Sequence, residues 1–515
     1  MSAILYDTHT AAASLTLHLP DETATLRFGE DLVLALRRGD VVALSGDLGA
    51  GKSTLARAMI RTLADDPAHE VPSPTYTLVQ TYETLPPIAH VDLYRLSNPQ
   101  EIEELGFEEA TEAGIVICEW PERVPAVLAR ASLHLSFETA GDGRNVAVTA
   151  TPEAMARLSR SLSARAFLDT TEPPATDRRR FFGDASARRY ETVQRGGATA
   201  ILMDAPRQSD GAPIRNGLPY SRIAHLAEDV TPFVAIAEAL RHHRFAAPKI
   251  FAADLDRGFV LLSHLGSDTM LDAAGRTAPE RYEAAALTLA ALHAESWEPA
   301  MPAAGGVVHT VPDYDRGAMG IEVELLLDWY VPRMLERPAS PGERAEFLEV
   351  WAGLFDELRD AETSLVLRDY HSPNIIWRGE REGIDRIGII DFQDAMIGPA
   401  AYDLASLAQD ARVDVAPELE MHLVSAYAAA RKAQGPFDAY GFERAYAIMA
   451  VQRLSKILGI FVRLDERDGK PQYLRHIPRL KTYLTRTLGH PSLAALRTLY
   501  ADWGLLDETE ARRPR

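Results

Sequence analysis

The chain has 515 residues, a formal net charge of −20, and a composition that is 46% hydrophobic and 25% charged. This composition is ordinary for globular proteins, and the length predicts about two to four domains. The acidic balance disfavours nonspecific binding to nucleic acid, which depends on Lys and Arg displacing counterions, so any such role would be local or through a partner.

The first part of the chain alternates predicted strands and helices. Apolar residues at Leu15, Leu17 and Leu19 predict an edge strand, and a helix is expected over residues 30–38. A short apolar strand at 41–44 precedes a Gly-rich turn and a helix over 52–63. Further strands are predicted at 77–82, 88–92, 114–118, 131–137 and 146–149. This order favours an α/β sheet with parallel strands.

A change of composition marks the middle of the chain. A helix is predicted over 152–168, and the turn-rich segment 170–176 follows it. We therefore expect a first domain at 1–152, a connector at 153–176 and a second domain at 177–515. Predicted hairpins, followed by helical periodicity from residue 279 onward, divide the second domain into a small lobe at about 177–265 and a helical lobe at about 266–515.

The single cysteine and the N-terminal residues bear on the compartment. Cys118 excludes an intrachain disulfide, and its apolar neighbours at 115–117 indicate a core position. The first ten residues show no basic segment followed by an apolar one. No uncharged apolar run approaches the ~20 residues of a membrane span. We expect a soluble, cytoplasmic protein that does not bind membranes.

A phosphate-binding loop is predicted at residues 46–53, which read Gly-Asp-Leu-Gly-Ala-Gly-Lys-Ser and fit G-x-x-x-x-G-K-[ST]. Glycines let backbone N–H groups approach phosphates, and the helix that follows favours negative charge at its N-terminus. Lys52 would reach the phosphates and support catalysis, and the Ser53 hydroxyl would ligate Mg²⁺. The predicted ATP-contacting residues are Gly46, Gly49, Ala50, Gly51, Lys52, Ser53 and Thr54.

Two carboxylates end predicted strands of the same sheet. Asp92 follows 88–91 and Glu119 follows 115–118. Ligands in α/β sheets gather at the carboxyl ends of strands, so both carboxylates are candidates to hold Mg²⁺ or order water. Taken singly, each could also be an ordinary charge at a strand end.

Residues 1–150 resemble the bacterial TsaE ATPases, which support N6-threonylcarbamoyladenosine modification of tRNA. The matching segments are 46–54, 73–77, 90–95, 105–109 and 119–123. The resemblance implies that 73–77 is a switch-like loop, that Asp92 and Glu119 serve Mg²⁺ and water, with Glu119 catalytic, and that Trp120 lies beside the nucleotide. It also implies two partners, a threonylcarbamoyltransferase and its companion subunit, with tRNA contacted only indirectly.

A second nucleotide-dependent site is predicted at residues 368–394. Arg368, Asp369 and Asn374 reproduce the R-D-x-x-x-x-N spacing of a kinase catalytic loop, and Asp391 follows an apolar strand at 387–390. Phosphoryl transfer depends on positioning and charge neutralisation. Asp369 would accept the proton of the attacking hydroxyl, and Asn374 and Asp391 would hold Mg²⁺ against the phosphates of ATP.

The small lobe offers a candidate phosphate loop at 183–188, where Ser186 and Arg188 could contact ATP; a plain hairpin turn is the alternative. The third strand carries Met203 where protein kinases use a Lys, and no Lys occurs between Lys52 and Lys249. Arg188 or the backbone amides of the loop could replace it.

Residues 177–515 resemble the aminoglycoside phosphotransferase-like kinases, with most likeness to the anomeric N-acetylmuramate/N-acetylglucosamine kinases (AmgK). The segments that carry the likeness are 201–206, 368–374, 391–395 and 398–404. The two resemblances imply an α/β P-loop NTPase domain followed by an α+β bilobal protein-kinase-like domain. They imply a bifunctional enzyme that uses ATP and Mg²⁺, with an amino sugar of cell-wall recycling as the kinase substrate.

Two alternatives stay open at this stage. The kinase acceptor could be an aminoglycoside, choline or an amino-acid hydroxyl, and a cationic acceptor would require an acidic pocket. The P-loop domain could be a nucleotide-dependent assembly switch with little turnover of its own.

Overall fold

The computed structural model describes residues 5–6, 13–96, 98, 101–181 and 188–506. The chain forms two units, residues 1–204 and residues 205–515. Each unit has its own secondary structure. The predicted phosphate-loop residue Ser186 lies outside the described residues.

The first unit contains an eight-stranded sheet. Its strands, in the order in which they lie side by side, are β1 (Leu5–Tyr6), β2 (Ala13–Leu19), β8 (Gly143–Ala150), β7 (Leu133–Ala140), β3 (Val41–Gly46), β6 (Ile115–Glu119), β5 (Ile88–Asp92) and β4 (Val79–Tyr82). Strands β7, β3, β6 and β5 are parallel, and the outer pairs are antiparallel. The parallel centre agrees with the prediction. The strand at 15–19 is not the edge strand, because β1 pairs outside β2.

Over the described part of this unit the helices are α1 (Glu22–Ala35), α2 (Lys52–Ala64), α3 (Glu101–Glu104), α4 (Phe107–Ala113), α5 (Pro125–Arg130) and α6 (Pro152–Asp169). Helix α1 begins at Glu22, well before the predicted residue 30, because Asp21 caps its N-terminus by accepting from the Ala24 amide at 2.7 Å. Met155 and Leu158 of α6 join the core formed by α1, α2 and one face of the sheet.

Strand β3 explains the position of the Gly-rich loop. Residues Val41 to Leu44 are almost fully buried, because β3 is a central strand with apolar cores on both faces of the sheet. The strand ends at Gly46, whose φ of 133° is accessible to glycine, and a Cβ there would lie 2.6 Å from the Phe137 carbonyl oxygen. Helix α2 begins at Lys52, so the loop connects the end of a buried strand to a helix N-terminus.

Three further antiparallel strands belong to the first unit: β9 (Thr176–Phe181), β10 (Arg189–Arg195) and β11 (Ala198–Asp204). A buried ion network attaches β9 to the rest of the unit. The Arg178 guanidinium donates to Asp31 of α1 at 2.6 Å and to Glu191 of β10 at 2.7 Å, and Arg165 of α6 also donates to Asp31. Arg178 is 1% exposed, so this network is part of the unit's interior.

The second unit is mostly helical. Its helices are α7 (Tyr220–Ile223), α8 (Thr231–His242), α9 (Pro279–Ala294), α10 (Arg316–Leu325), α11 (Val331–Leu335), α12 (Pro341–Glu357), α13 (Ala401–Ala408), α14 (Pro417–Gln434), α15 (Ala439–Glu466), α16 (Ile477–Thr487) and α17 (Ala494–Asp502). A π-helical turn at Leu326–Tyr330 separates α10 from α11. The helical periodicity predicted from residue 279 is confirmed.

The strands of the second unit form short antiparallel pairs. They are β12 (Ile250–Asp254) with β13 (Phe259–Ser263), β14 (Ala300–Pro302) with β15 (Val308–Thr310), β16 (Thr363–Val366) with β19 (Met396–Pro399), and β17 (Ile375–Trp377) with β18 (Ile387–Ile389). The last two pairs flank the predicted catalytic loop and Asp391, so they position both.

Helix α15 is the central helix of the second unit. It is the one helix of the described residues that is long and apolar enough to cross a membrane, but 94% of its apolar window is buried inside the protein. Its buried residues include three polar ones, Gln452, Arg453 and Lys456, of which Gln452 and Lys456 contact Glu322 of α10.

Candidate functional sites

The Gly-rich loop of the first unit brings the predicted phosphate-binding residues together at one end of β3. Gly46, Gly49, Ala50 and Gly51 form the loop, and Lys52, Ser53 and Thr54 form the first turn of α2. Gly51 caps α2 with a φ of 109°, a left-handed conformation that favours glycine. Backbone N–H groups at the start of α2 and its dipole make this end of the helix suited to anions.

Lys52 is held inside this loop. Its Nζ donates to the carbonyl oxygens of Gly46 at 2.6 Å and of Asp47 at 2.9 Å, and it lies 3.9 Å from the centre of the Trp120 ring. Burial lowers the pKa of Lys52, although Glu119 and neighbouring carboxylates oppose that shift. The structure thus places Trp120, predicted to lie beside the nucleotide, next to the predicted phosphate-binding lysine.

The two strand-end carboxylates lie side by side, because Asp92 of β5 and Glu119 of β6 are register partners in the parallel sheet. The Ser53 hydroxyl donates to Glu119 Oε2 at 2.8 Å, and the Thr75 hydroxyl donates to Asp92 Oδ2 at 3.0 Å. Thr75 belongs to the predicted switch-like loop at 73–77. The predicted phosphate loop, the two carboxylates and the predicted switch-like loop therefore meet at one edge of the sheet.

His90 is a contact of this site to which sequence reasoning gave no role. Its Nε2 lies 2.9 Å from Glu119 Oε1, and both side chains are buried. This hydrogen bond occupies Oε1 of Glu119, while Oε2 accepts from the Ser53 hydroxyl. The sequence does contain an indication that His90 belongs to this site. His90 lies two residues before Asp92, so both side chains are on the same face of β5.

In the second unit, the predicted catalytic loop lies between β16 and β17. Asn374 Nδ2 donates to the Asp369 carbonyl oxygen at 3.0 Å and to Asp391 Oδ2 at 3.3 Å. Gln393 Nε2 donates to the other carboxylate oxygen, Asp391 Oδ1, at 3.1 Å. Asp369, Asn374 and Asp391, predicted from spacing alone, are thus joined in one cluster.

Two buried carboxylates support the backbone of the catalytic loop. Asp403 of α13 accepts from the amides of Leu367 at 2.6 Å and Arg368 at 2.9 Å, and Asp410 accepts from the Ser372 amide at 2.8 Å. Arg368 itself has a φ of 70°. These bonds compensate an unusual backbone conformation next to the predicted base.

Glu322 of α10 is the centre of a buried polar network beneath this loop. It accepts from Arg368, Tyr314, Lys456 Nζ at 2.9 Å and Gln452 Nε2 at 2.9 Å, and it is 0% exposed. Burial by itself raises the pKa of Glu322, but Lys456 and Arg368 lower it to about 2. The carboxylate is therefore ionised and holds two cations in place.

Positive charges surround Asp369. Burial by itself raises the pKa of Asp369, but the positive charges of Lys456, Arg368 and Arg453 lower it below its ordinary value. Burial lowers the pKa of His371 to about 4, which keeps its ring neutral at pH 7. Asp369 is consequently an ionised carboxylate, which is the state that a proton acceptor needs.

The residues predicted to contact ATP from the small lobe belong to a different unit from the Asp369 cluster. Arg188 immediately precedes β10 and is partly buried, and Met203 of β11 is 1% exposed. Both belong to the first unit. The role of Arg188, like that of Ser186, stays a prediction.

Magnesium is the metal that both predicted sites would use. Within the described ranges, no group of three or more His, Cys, Asp or Glu side chains is arranged to hold a metal ion. Mg²⁺ is usually bound by one or two carboxylates together with water and substrate phosphates, so the Ser53–Glu119 and Asn374–Asp391 pairs fit this donor set.

Two protein-family models match different parts of the chain. Residues 19–146 match the family described as threonylcarbamoyl adenosine biosynthesis protein TsaE, and residues 177–446 match the phosphotransferase enzyme family. The chain is 35% identical over 364 residues to an N-acetylmuramate/N-acetylglucosamine kinase from Caulobacter vibrioides, covering 68% of this chain and 97% of the relative. A kinase of the same name from Pseudomonas putida is 34% identical over 337 residues, covering 64% of this chain and 89% of the relative.

The N-terminal part has relatives of its own. It is 38% identical over 144 residues to the tRNA threonylcarbamoyladenosine biosynthesis protein TsaE of Haemophilus influenzae, which covers 27% of this chain and 90% of the relative.

Proposed function

The chain belongs to the phosphotransferase enzyme family and, through its N-terminal part, to the TsaE family, and from this membership we propose that it catalyses two separate ATP-dependent reactions. The C-terminal kinase transfers the γ-phosphoryl group of ATP to the anomeric hydroxyl of N-acetylmuramate or N-acetylglucosamine. The N-terminal ATPase supports threonylcarbamoyladenosine modification of tRNA. Both reactions take place in the cytoplasm, and the kinase reaction serves cell-wall recycling.

The cluster around Asp369 supports the kinase assignment more than any other observation. Its ionised carboxylate accepts the proton of the sugar hydroxyl as that oxygen attacks the γ-phosphorus. Asn374 and Asp391 are placed to hold Mg²⁺, which when bound neutralises charge on the phosphates. Asp403 and Asp410 hold the loop backbone, so Asp369 keeps a fixed position.

The charge around Asp369 favours an anionic acceptor over a cationic one. Lys456 and Arg453 lie on α15 and are 7% and 4% exposed, and the positive charges of both act on Asp369. Among the residues that the structure describes, the Arg453 side chain donates one hydrogen bond, a long one from Nη1 to the Gln409 carbonyl oxygen at 3.4 Å. We infer that Arg453 binds the carboxylate of N-acetylmuramate, since a guanidinium matches a carboxylate in geometry and charge.

The test uses the full chain, because the Arg178 network ties β9 to α1 and a cut at residue 177 would break it. A Lys52→Ala background removes ATP hydrolysis by the first unit. N-acetylmuramate, N-acetylglucosamine, an aminoglycoside, choline and serine are each incubated with Mg-ATP, and products are identified by ³¹P NMR. We expect sugar 1-phosphates; transfer only to a cationic acceptor would overturn the proposal.

The Arg453→Ala substitution should affect the reaction with N-acetylmuramate more than the reaction with N-acetylglucosamine. The carboxylate of N-acetylmuramate is absent from N-acetylglucosamine, so the KM for N-acetylmuramate should rise about 10- to 100-fold while that for N-acetylglucosamine changes little. Arg344→Ala is a matched control, because Arg344 is a partly exposed arginine paired with Asp328 and Glu324. Equal losses for both sugars would refute the carboxylate assignment.

For the N-terminal unit, we propose a partner-dependent ATPase. A threonylcarbamoyltransferase and its companion subunit are the partners, and tRNA is contacted through them, in keeping with the net charge of −20. Low ATP hydrolysis by the chain alone should increase when both subunits are added, and Lys52→Ala should remove the increase. If the partners bind in the presence of ATP and hydrolysis stays low, the unit is an assembly switch instead.

A further inference from the structure

Arg144 is a cation of the first unit that neither predicted site includes. It is the second residue of β8, and its side chain packs against the phosphate loop. A Cβ placed on Gly51 would lie 3.1 Å from Arg144 Cζ and 3.2 Å from Cδ, and it would collide with Nη1. The guanidinium therefore covers the glycine that caps α2.

The sheet explains this position. Phe137 of β7 pairs with Gly46, the last residue of β3, so β7 continues past the point where the phosphate loop begins. Arg144 is the register partner of Thr139, two residues beyond Phe137. Val146 follows Arg144 on the same face of β8 and packs in the core that also contains Leu55 of α2. Arg144 thus faces the N-terminal end of α2.

This is an unfavourable place for an unpaired cation. The N-terminus of α2 carries a partial positive charge, and Lys52 is a second cation of the same loop. The Arg144 guanidinium makes no hydrogen bond or ion pair with any residue that the structure describes. By contrast, Arg157, Arg165 and Arg178 of the same unit each pair with carboxylates. A bound phosphate group would attract Arg144, Lys52 and the N-terminus of α2, and it would thereby offset the repulsion among these positive charges.

We propose that Arg144 is a phosphate-contacting residue of the ATPase, and this rests on the ATP-hydrolysing function of the first unit. In hydrolysis the water oxygen bonds to the γ-phosphorus, the bond to the β,γ-bridging oxygen breaks with its electron pair passing to ADP, and the water releases one proton to solvent. Arg144 and Lys52 together neutralise the negative charge of the polyphosphate. Arg144 thus corresponds to the arginine that some nucleoside triphosphatases supply from their own chain.

Binding of ATP and ADP to the full chain in an Asp391→Ala background tests this contact, with Arg38→Ala as control. Arg38 precedes β3, at the opposite end of that strand from the loop, and donates to the Glu112 carbonyl oxygen. Arg144→Ala should weaken ATP binding about 10- to 100-fold, and Arg144→Lys should recover part of the loss because it keeps the charge without the planar fork. Partner-stimulated hydrolysis should fall with Arg144→Ala.

Thermal unfolding without nucleotide separates this role from a structural one. Removing a cation from the N-terminus of α2 should leave the melting temperature of Arg144→Ala unchanged or slightly higher. An earlier melt, or ATP affinity equal to that of Arg38→Ala, would overturn the proposal. Lys52→Ala tests the premise: if it also leaves ATP binding and hydrolysis unchanged, the ATPase assignment fails, whereas a loss with Lys52→Ala alone rejects only the role of Arg144.

Discussion

Replacing Glu322 by glutamine tests the buried network beneath the kinase loop. The substitution keeps the shape of the side chain but leaves Arg368 and Lys456, which are 2% and 7% exposed, without their shared anion. Breaking a buried ion pair from one side costs about 3–5 kcal/mol. The pKa of Glu322, lowered from 4.5 to about 2, independently gives about 3 kcal/mol for the stabilisation of the ionised form.

The direction of the pH dependence follows from the same shift. Because the folded-state pKa is below the unfolded-state value, the stabilisation by Glu322 is fully present above pH 4.5 and is lost as the pH falls toward 2. The difference in stability between the unsubstituted chain and Glu322→Gln should therefore be constant near neutral pH and shrink across that acid range.

Urea unfolding followed by tryptophan fluorescence measures this effect, since all tryptophans except Trp120 lie in the second unit. A loss of about 3 kcal/mol lowers the urea midpoint by about 1 M or more at the usual slopes. Glu349→Gln, a change at an exposed carboxylate of α12, is the control and should leave the midpoint unchanged. A midpoint for Glu322→Gln that matches the control would refute the reasoning.

Three other predictions follow from the described contacts. Asp369→Asn should lower phosphoryl transfer about 10²- to 10⁴-fold with little change in ATP affinity; retained turnover would reject Asp369 as the base. The pH profile of kcat/KM for the sugar should lack an acid limb between pH 5 and 7, because the lowered pKa keeps Asp369 ionised there; a limb near pH 6 that is independent of ATP would contradict this. Arg178→Ala should destabilise the first unit by about 3–5 kcal/mol in calorimetry, because Glu191 loses its buried partner and Asp31 keeps only Arg165; an unchanged transition would show that the network is dispensable.

Local spacing predicted which residues of each site lie close together. Residues 46–53 cover the end of β3, the loop after it and the start of α2, and Asp369, Asn374 and Asp391 form one hydrogen-bonded cluster. These patterns are visible in the sequence because each joins residues on consecutive elements, where strand ends and turn lengths fix the geometry. The alternation of strands and helices also predicts that β5 and β6 are parallel, and this pairing brings Asp92 beside Glu119.

Contacts between distant parts of the chain were not predictable in the same way. Glu322, Lys456 and Arg453 lie on α10 and α15, far from residue 369 in sequence. Ordinary helix spacing gives no sign that Glu322 pairs with Arg368 or that the charges of Lys456 and Arg453 act on Asp369. Likewise, Asp31 pairs with Arg178 across almost 150 residues. Such pairs depend on tertiary packing, which periodicity does not report.

The start of α1 was mispredicted for a local reason. A helix was expected over 30–38, whereas the Asp21 cap begins the helix at Glu22. Gly29 is tolerated within α1 because a Cβ there would lie 2.6 Å from Ala58 Cβ of α2, so the glycine permits close packing of the two helices.

The central claim is that one chain carries two independent ATP-dependent active sites. The most direct measurement follows both reactions in the full chain: N-acetylmuramate 1-phosphate by ³¹P NMR and partner-stimulated ATP hydrolysis by phosphate release. Lys52→Ala should remove the second reaction and leave the first, and Asp369→Asn should do the reverse. A single substitution that removes both reactions while the chain stays folded, or one that removes neither, would contradict the account.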